Sequence, residues 1–86
     1  MRHATDAALD RLDDLLQRVR RSHPGLKERK RGAFYRGAQG WLHFHEDPAG
    51  LFADLKVSGA WARHPVNSAA ERKAMLDRLA KTLRSD

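Results

Sequence analysis

The sequence predicts a two-layer α+β sandwich, a helix followed by a four-stranded antiparallel meander and a second helix, with both helices on one sheet face. Three observations predict it. Leucines recur at helical spacing near the N-terminus. Alternating apolar and polar residues flank an Asp-Pro-Ala-Gly turn in the middle, and a capping-box sequence opens an apolar stripe near the C-terminus. Eighty-six residues make a single domain over residues 1–86, with one small core and no room for a separate cofactor domain.

Each element has its own signal. Thr5 is a candidate cap for a helix whose first turns carry Asp6 and Asp10 and whose Leu9, Leu12, Leu16 and Val19 share one face. Arg18, Arg20 and Arg21 load its last turn, and His23-Pro24-Gly25 stops it. Residues 26–30 are polar and read as an exposed loop or the ragged start of a strand. The meander then comprises Gly32 to Arg36, a Gly37-Ala-Gln-Gly40 turn, Trp41 to Glu46, the turn Asp47-Pro48-Ala49-Gly50, and Leu51 to Val57. Ser58-Gly59 leads into Ala60 to Val66, where Pro65 argues for an edge position or a strand end. Ser68-Ala-Ala-Glu71 is the capping box of the last helix, and Met75, Leu76, Leu79 and Leu83 form its stripe.

Pairing across the central turn sorts the side chains into two faces. Glu46 opposes Leu51, Phe44 opposes Ala53 and Leu42 opposes Leu55 on a core face that also takes Phe34, Ala62, His64 and Val66. On the other face His45 meets Phe52, His43 meets Asp54, and Trp41 meets Lys56, joined by Tyr35, Trp61 and Arg63. Four large aromatics among charges are more apolar area than an idle face exposes. This face is therefore the expected partner-binding surface, with Trp41, Trp61, Tyr35 and Phe52 as anchors and Lys56 and Arg63 as polar contacts. A homodimer or a protein partner is the expected occupant, because Trp, Tyr, Phe and Arg are the residues that interfaces favour.

Charge supplies the second reading. Between Arg18 and Arg36 eight basic residues face one acid, Glu28, so this stretch carries +7 of a total of +6 and the rest of the chain carries −1. With Arg29, Lys30, Arg31 and Arg36 on phosphates and the aromatics stacking on bases, the same surface suits single-stranded nucleic acid. The alternative meaning of the block is a solvated helix end whose cations complement the helix dipole.

Catalytic and metal readings are weaker. His43-x-His45 places two imidazoles on one face, and Gly37 lies at the spacing of a cupin metal motif. The glutamate that motif needs is replaced by Ala49 and Gly50, and Glu46 points to the core face. His-Phe-His is similar to the start of a histidine-triad signature, but position 47 is Asp and no phosphate-cradling helix follows. His43 beside Asp54 has the form of a base with its orienting acid, without a nucleophile or an oxyanion donor nearby. A metal or acid–base site at His43, His45 and Asp54 thus ranks third, and no catalytic residue, metal or cofactor is expected. The chain has no cysteine, which excludes disulfides and thiolate chemistry. Met1-Arg-His-Ala-Thr-Asp6 leads into a charged helix without an apolar signal region, and no apolar run approaches the ~18 residues of a membrane span. A cytoplasmic protein with no membrane contact is expected.

The run Leu42-His-Phe-His-Glu-Asp-Pro-Ala-Gly-Leu-Phe-Ala-Asp-Leu-Lys56, with Trp61-Ala-Arg-His-Pro-Val66 and the final helix, resembles small bacterial proteins of unknown function. Some of these carry a luciferase-like-domain label. The resemblance spans Tyr35 to Leu83 and implies no light emission: no flavin-binding motif is present, and no catalytic residue carries over. The helix–meander–helix order is also similar in outline to the frataxin-like architecture. The acidic ridge of that family is missing from the first helix, whose acids are balanced by arginines.

Overall fold

The N-terminal leucine stripe folds as two short helices, α1 (Asp6–Arg11) and α2 (Asp13–Ser22), rather than the one expected. The break is a local tightening at Leu12, whose N–H is shared between the Ala8 and Leu9 carbonyls at 3.2 and 3.1 Å. The stripe survives the break: Leu9, Leu12, Leu15, Leu16 and Val19 are all buried. Thr5 caps α1 through its hydroxyl, which accepts the Ala8 N–H at 3.3 Å. The structure is a computed structural model that describes residues 2–85; the two chain ends of the expected domain, Met1 and Asp86, lie outside the described residues.

The fold class is α+β with an antiparallel sheet, and the sheet is wider than the four strands expected. Among the described residues it has six, β1 (Arg2–His3), β2 (Lys27–Lys30), β3 (Ala33–Arg36), β4 (Gln39–Asp47), β5 (Gly50–Val57) and β6 (Ala60–Pro65). They run β2-β3-β4-β5-β6, with β1 paired to β4. The stretch Lys-Glu-Arg-Lys has no apolar residue, yet it pairs with β3 as an edge strand. Glu28 holds it there: its carboxylate accepts from Arg20 Nε and Nη2 of α2 at 2.6 and 2.8 Å and from the Gly32 N–H at 2.8 Å. Charged side chains on an edge strand also discourage pairing with other chains.

The β4–β5 register is the one the Asp-Pro-Ala-Gly turn predicts, with Glu46↔Leu51, Phe44↔Ala53, Leu42↔Leu55, His45↔Phe52 and His43↔Asp54. Asp47 shapes that turn by accepting the Ala49 N–H at 2.7 Å. Between β5 and β6, Ser58 (φ 51°) and Gly59 (φ 83°) form the two left-handed positions of a tight hairpin. Pro65 lies on the terminal strand β6, where a missing N–H is tolerated. The capping box forms as read: Ser68 Oγ accepts the Glu71 N–H at 3.1 Å, and Glu71 Oε1 accepts the Ser68 and Asn67 N–H groups at 3.0 and 2.8 Å. It opens α3 (Ala69–Ser85).

The register departs from expectation at Trp41. Phe34 pairs with Leu42 and Tyr35 with Gly40, so Trp41 is an extra residue bulged out of the β3–β4 ladder. Strict alternation places it on the partner-binding face opposite Lys56. The bulge instead turns it, with Leu42, toward the interior, where it is 3% exposed and part of the core. The core cluster joins Leu9, Leu12, Leu15, Leu16 and Val19 with Met75 and Leu79 and with Phe34, Leu42, Phe44, Leu51, Ala53, Leu55 and Val66 from alternate positions of the sheet. None of the described helices is long and apolar enough to cross a membrane.

Candidate functional site

Sheet residues that alternate with the core positions assemble a second constellation. Its centre is Asp54 on β5, only 8% exposed. Burying a carboxylate costs several kcal/mol unless it is paired, and Arg63, its cross-strand neighbour on β6, supplies a bidentate pair. Arg63 Nε donates to Oδ1 and Nη2 to Oδ2, both at 2.7 Å. This pairing holds the Asp54 carboxyl below its ordinary range against the opposing effect of burial. His45 Nδ1 also lies 3.1 Å from Asp54 Oδ2, but off the line that a hydrogen bond needs, so this nitrogen is buried without a partner.

Around this centre the rings form a chain. His3 of β1 stacks on His45 with centroids 4.6 Å apart and lies 6.3 Å from His43. His43 in turn meets Tyr35 at 5.8 Å and Trp61 at 5.1 Å. Arg29 of β2 sits over Tyr35 at 5.0 Å, and Lys56 lies over Trp61 at 5.6 Å. Gly40 makes room for this packing: a Cβ there would stand 3.1 Å from His43 Nε2 and 3.6 Å from the Trp61 ring. His43 Nε2 therefore points at backbone and is buried without a hydrogen bond. Burial, assisted by His3 and His45, lowers the His43 pKa, and burial also lowers that of His45. Neutral imidazoles in an aromatic row are the consequence.

Of the nine residues expected on the partner-binding surface, eight gather as described. His43, His45, Asp54, Arg63, Tyr35, Lys56 and Trp61 make the contacts above, and half-buried Phe52 pairs with His45 across the strands. Trp41 is the exception: its ring lies edge-on to His23 at 6.3 Å, and its indole N–H is buried without a partner. His64 is half-buried, a boundary position. Among the described residues no group of three or more His, Cys, Asp or Glu side chains is arranged to hold a metal ion. The two histidines point their nitrogens at Gly40 and at Asp54 rather than at a shared centre.

The basic residues separate into different environments. Arg31 bonds Asp10 at 2.8 Å and approaches Asp13 at 3.5 Å, so its charge is compensated by the first helices. Arg36 lies with Gln39, Gly40, Trp41 and Lys56 around a concavity at the β3–β4 turn. Arg29 and Lys30 line another concavity, of about 640 Å³, with His3, Tyr35 and His43. His3 carries no sequence signal for this role: a two-residue strand shows no periodicity, and only its pairing with His45 brings it in. No family model matches the chain, and no curated protein or solved structure matches it significantly.

Proposed function

We propose that this is a non-enzymatic interaction protein that self-associates through the sheet face carrying Trp61, the helices being packed on the opposite face. The observation that carries the reading is Trp61. Its ring is fixed between His43 and Lys56 yet is 46% exposed. An oriented indole with uncovered area is what binding hot spots consist of. The one carboxylate beside it, Asp54, is already matched by Arg63, and the Lys56 ammonium lies over the Trp61 ring. A second copy covering this face therefore meets no unpaired buried carboxylate, an obstacle to apolar association.

Sedimentation equilibrium across a range of concentrations tests this. The expected result is a reversible dimer that Trp61→Ser converts to monomer while the far-ultraviolet circular dichroism is unchanged. A parent protein that stays monomeric at every concentration rejects the proposal. So does a Trp61→Ser variant that dimerises as well as the parent.

A further inference from the structure

β1 and β3 both pair with β4 along the flank not taken by β5, β3 opposite residues 39–42 and β1 opposite residues 45–46. The gap between them is the 640 Å³ concavity, within the range of small-molecule sites. Its floor is apolar, from Ala4, Leu9, Ala33 and Phe44. Its polar walls hold Arg29, Lys30, Arg31, His3, Tyr35 and His43, and no acid lines it, although Arg31 is itself paired with Asp10 and Asp13 behind the wall. The acid nearest in sequence, Glu28, is bonded to Arg20 and to the Gly32 N–H. Arg29 rests on the Tyr35 ring, and its hydrogen bond to the Gly37 carbonyl is long at 3.5 Å. Lys30 meets no carboxylate among the described residues. Two uncompensated cations thus stand beside a row of rings over an apolar floor.

We propose that this groove binds a nucleoside monophosphate unit, Arg29 and Lys30 holding the phosphate and His3, Tyr35 and His43 flanking the base. A guanidinium and an ammonium lining one groove match a phosphate, the first by its forked donors and the second as a point charge. Rings beside them accept any base, because every base has a π-face. His43 serves as a neutral surface, its pKa being lowered chiefly by burial. The same unit occurs free and as one residue of a single strand.

Isothermal titration with adenosine 5′-monophosphate tests the site, with adenosine, inorganic phosphate and a short oligoadenylate as companion ligands. The expected result is saturable binding of the monophosphate, with adenosine and phosphate each at least about tenfold weaker, as loss of a charge-assisted contact or of stacking requires. Lys30→Glu lowers the affinity about tenfold, whereas Lys81→Glu, the same charge change on an exposed position of α3, leaves it within about twofold. An oligoadenylate that binds more tightly than the monophosphate, and loses as much to Lys30→Glu, identifies the single strand as the source; equal affinities identify the free nucleotide. The proposal is overturned if the monophosphate does not saturate the protein, if adenosine binds as well, or if Lys81→Glu weakens binding as much as Lys30→Glu.

Discussion

Gly32 shows how one position can be constrained twice. Its φ of +80° lies in the left-handed region, where a side chain costs roughly 1–2 kcal/mol. A Cβ there would also stand 2.7 Å from Leu9 Cδ2, inside the core. The residue links β2 to β3, and its N–H is one of three donors to Glu28. Gly32→Ala therefore adds a backbone penalty and a clash with a buried leucine, and it disturbs the anchor of β2. The expected loss is about 2–3 kcal/mol in urea denaturation. A loss below about 1 kcal/mol would mean that Leu9 and the turn both relax at little cost. Gly37, also at positive φ (59°), has nothing within 4 Å of a Cβ. Gly37→Ala carries the backbone penalty alone and serves as the reference.

Elements differ in how much of their cause is local. The β4–β5 hairpin was legible because its turn and its alternation agree, and α3 because its capping box and its stripe agree. Strand β2 was not, since Lys-Glu-Arg-Lys contains nothing that favours a sheet and the bond from Arg20 to Glu28 spans eight residues. Strand β1 is two residues long and owes its place to His45, Glu46 and the Thr5 N–H, which donates to Glu46 Oε1 at 2.8 Å. The Trp41 bulge likewise depends on how β3 meets β4, which no local pattern specifies. The last two features account for what the sequence missed at the candidate site: His3 entering it and Trp41 leaving it. If Glu28 holds β2, Glu28→Ala should speed backbone amide exchange across Lys27–Lys30 while leaving β4 and β5 protected. The stability lost should be about 1–3 kcal/mol, as for a charge-assisted hydrogen bond. Unchanged exchange in β2 would show that the strand is held by its ladder with β3 alone.

The whole molecule couples these parts to pH. Burial is the largest cause holding His23, His43, His45 and His64 below the ordinary imidazole value of 6.5. As pH falls through 6.5 the unfolded chain takes up protons that the folded chain refuses, so the unfolded state gains and stability declines. That decline ends once the pH has passed the folded-state values. The carboxylates act lower. Hydrogen bonds hold Glu28, Glu46 and Glu71 below 4.5 and Asp54 below 3.8. Their contribution is complete above those ordinary values and is lost as pH falls through the folded-state ones. Urea unfolding measured from neutral to acid pH should therefore show two stages of loss, one starting near 6.5 and one below about 4.5. His43→Phe should shrink the first stage and change the second only slightly, because the ring packing with Tyr35 and Trp61 is kept while the protonation site is removed and Arg63, not His43, is the main cause holding Asp54 low. Stability that holds constant or rises between pH 7 and the onset of the second stage would show that the histidines titrate alike in both states, and that their burial is too slight to exclude a proton.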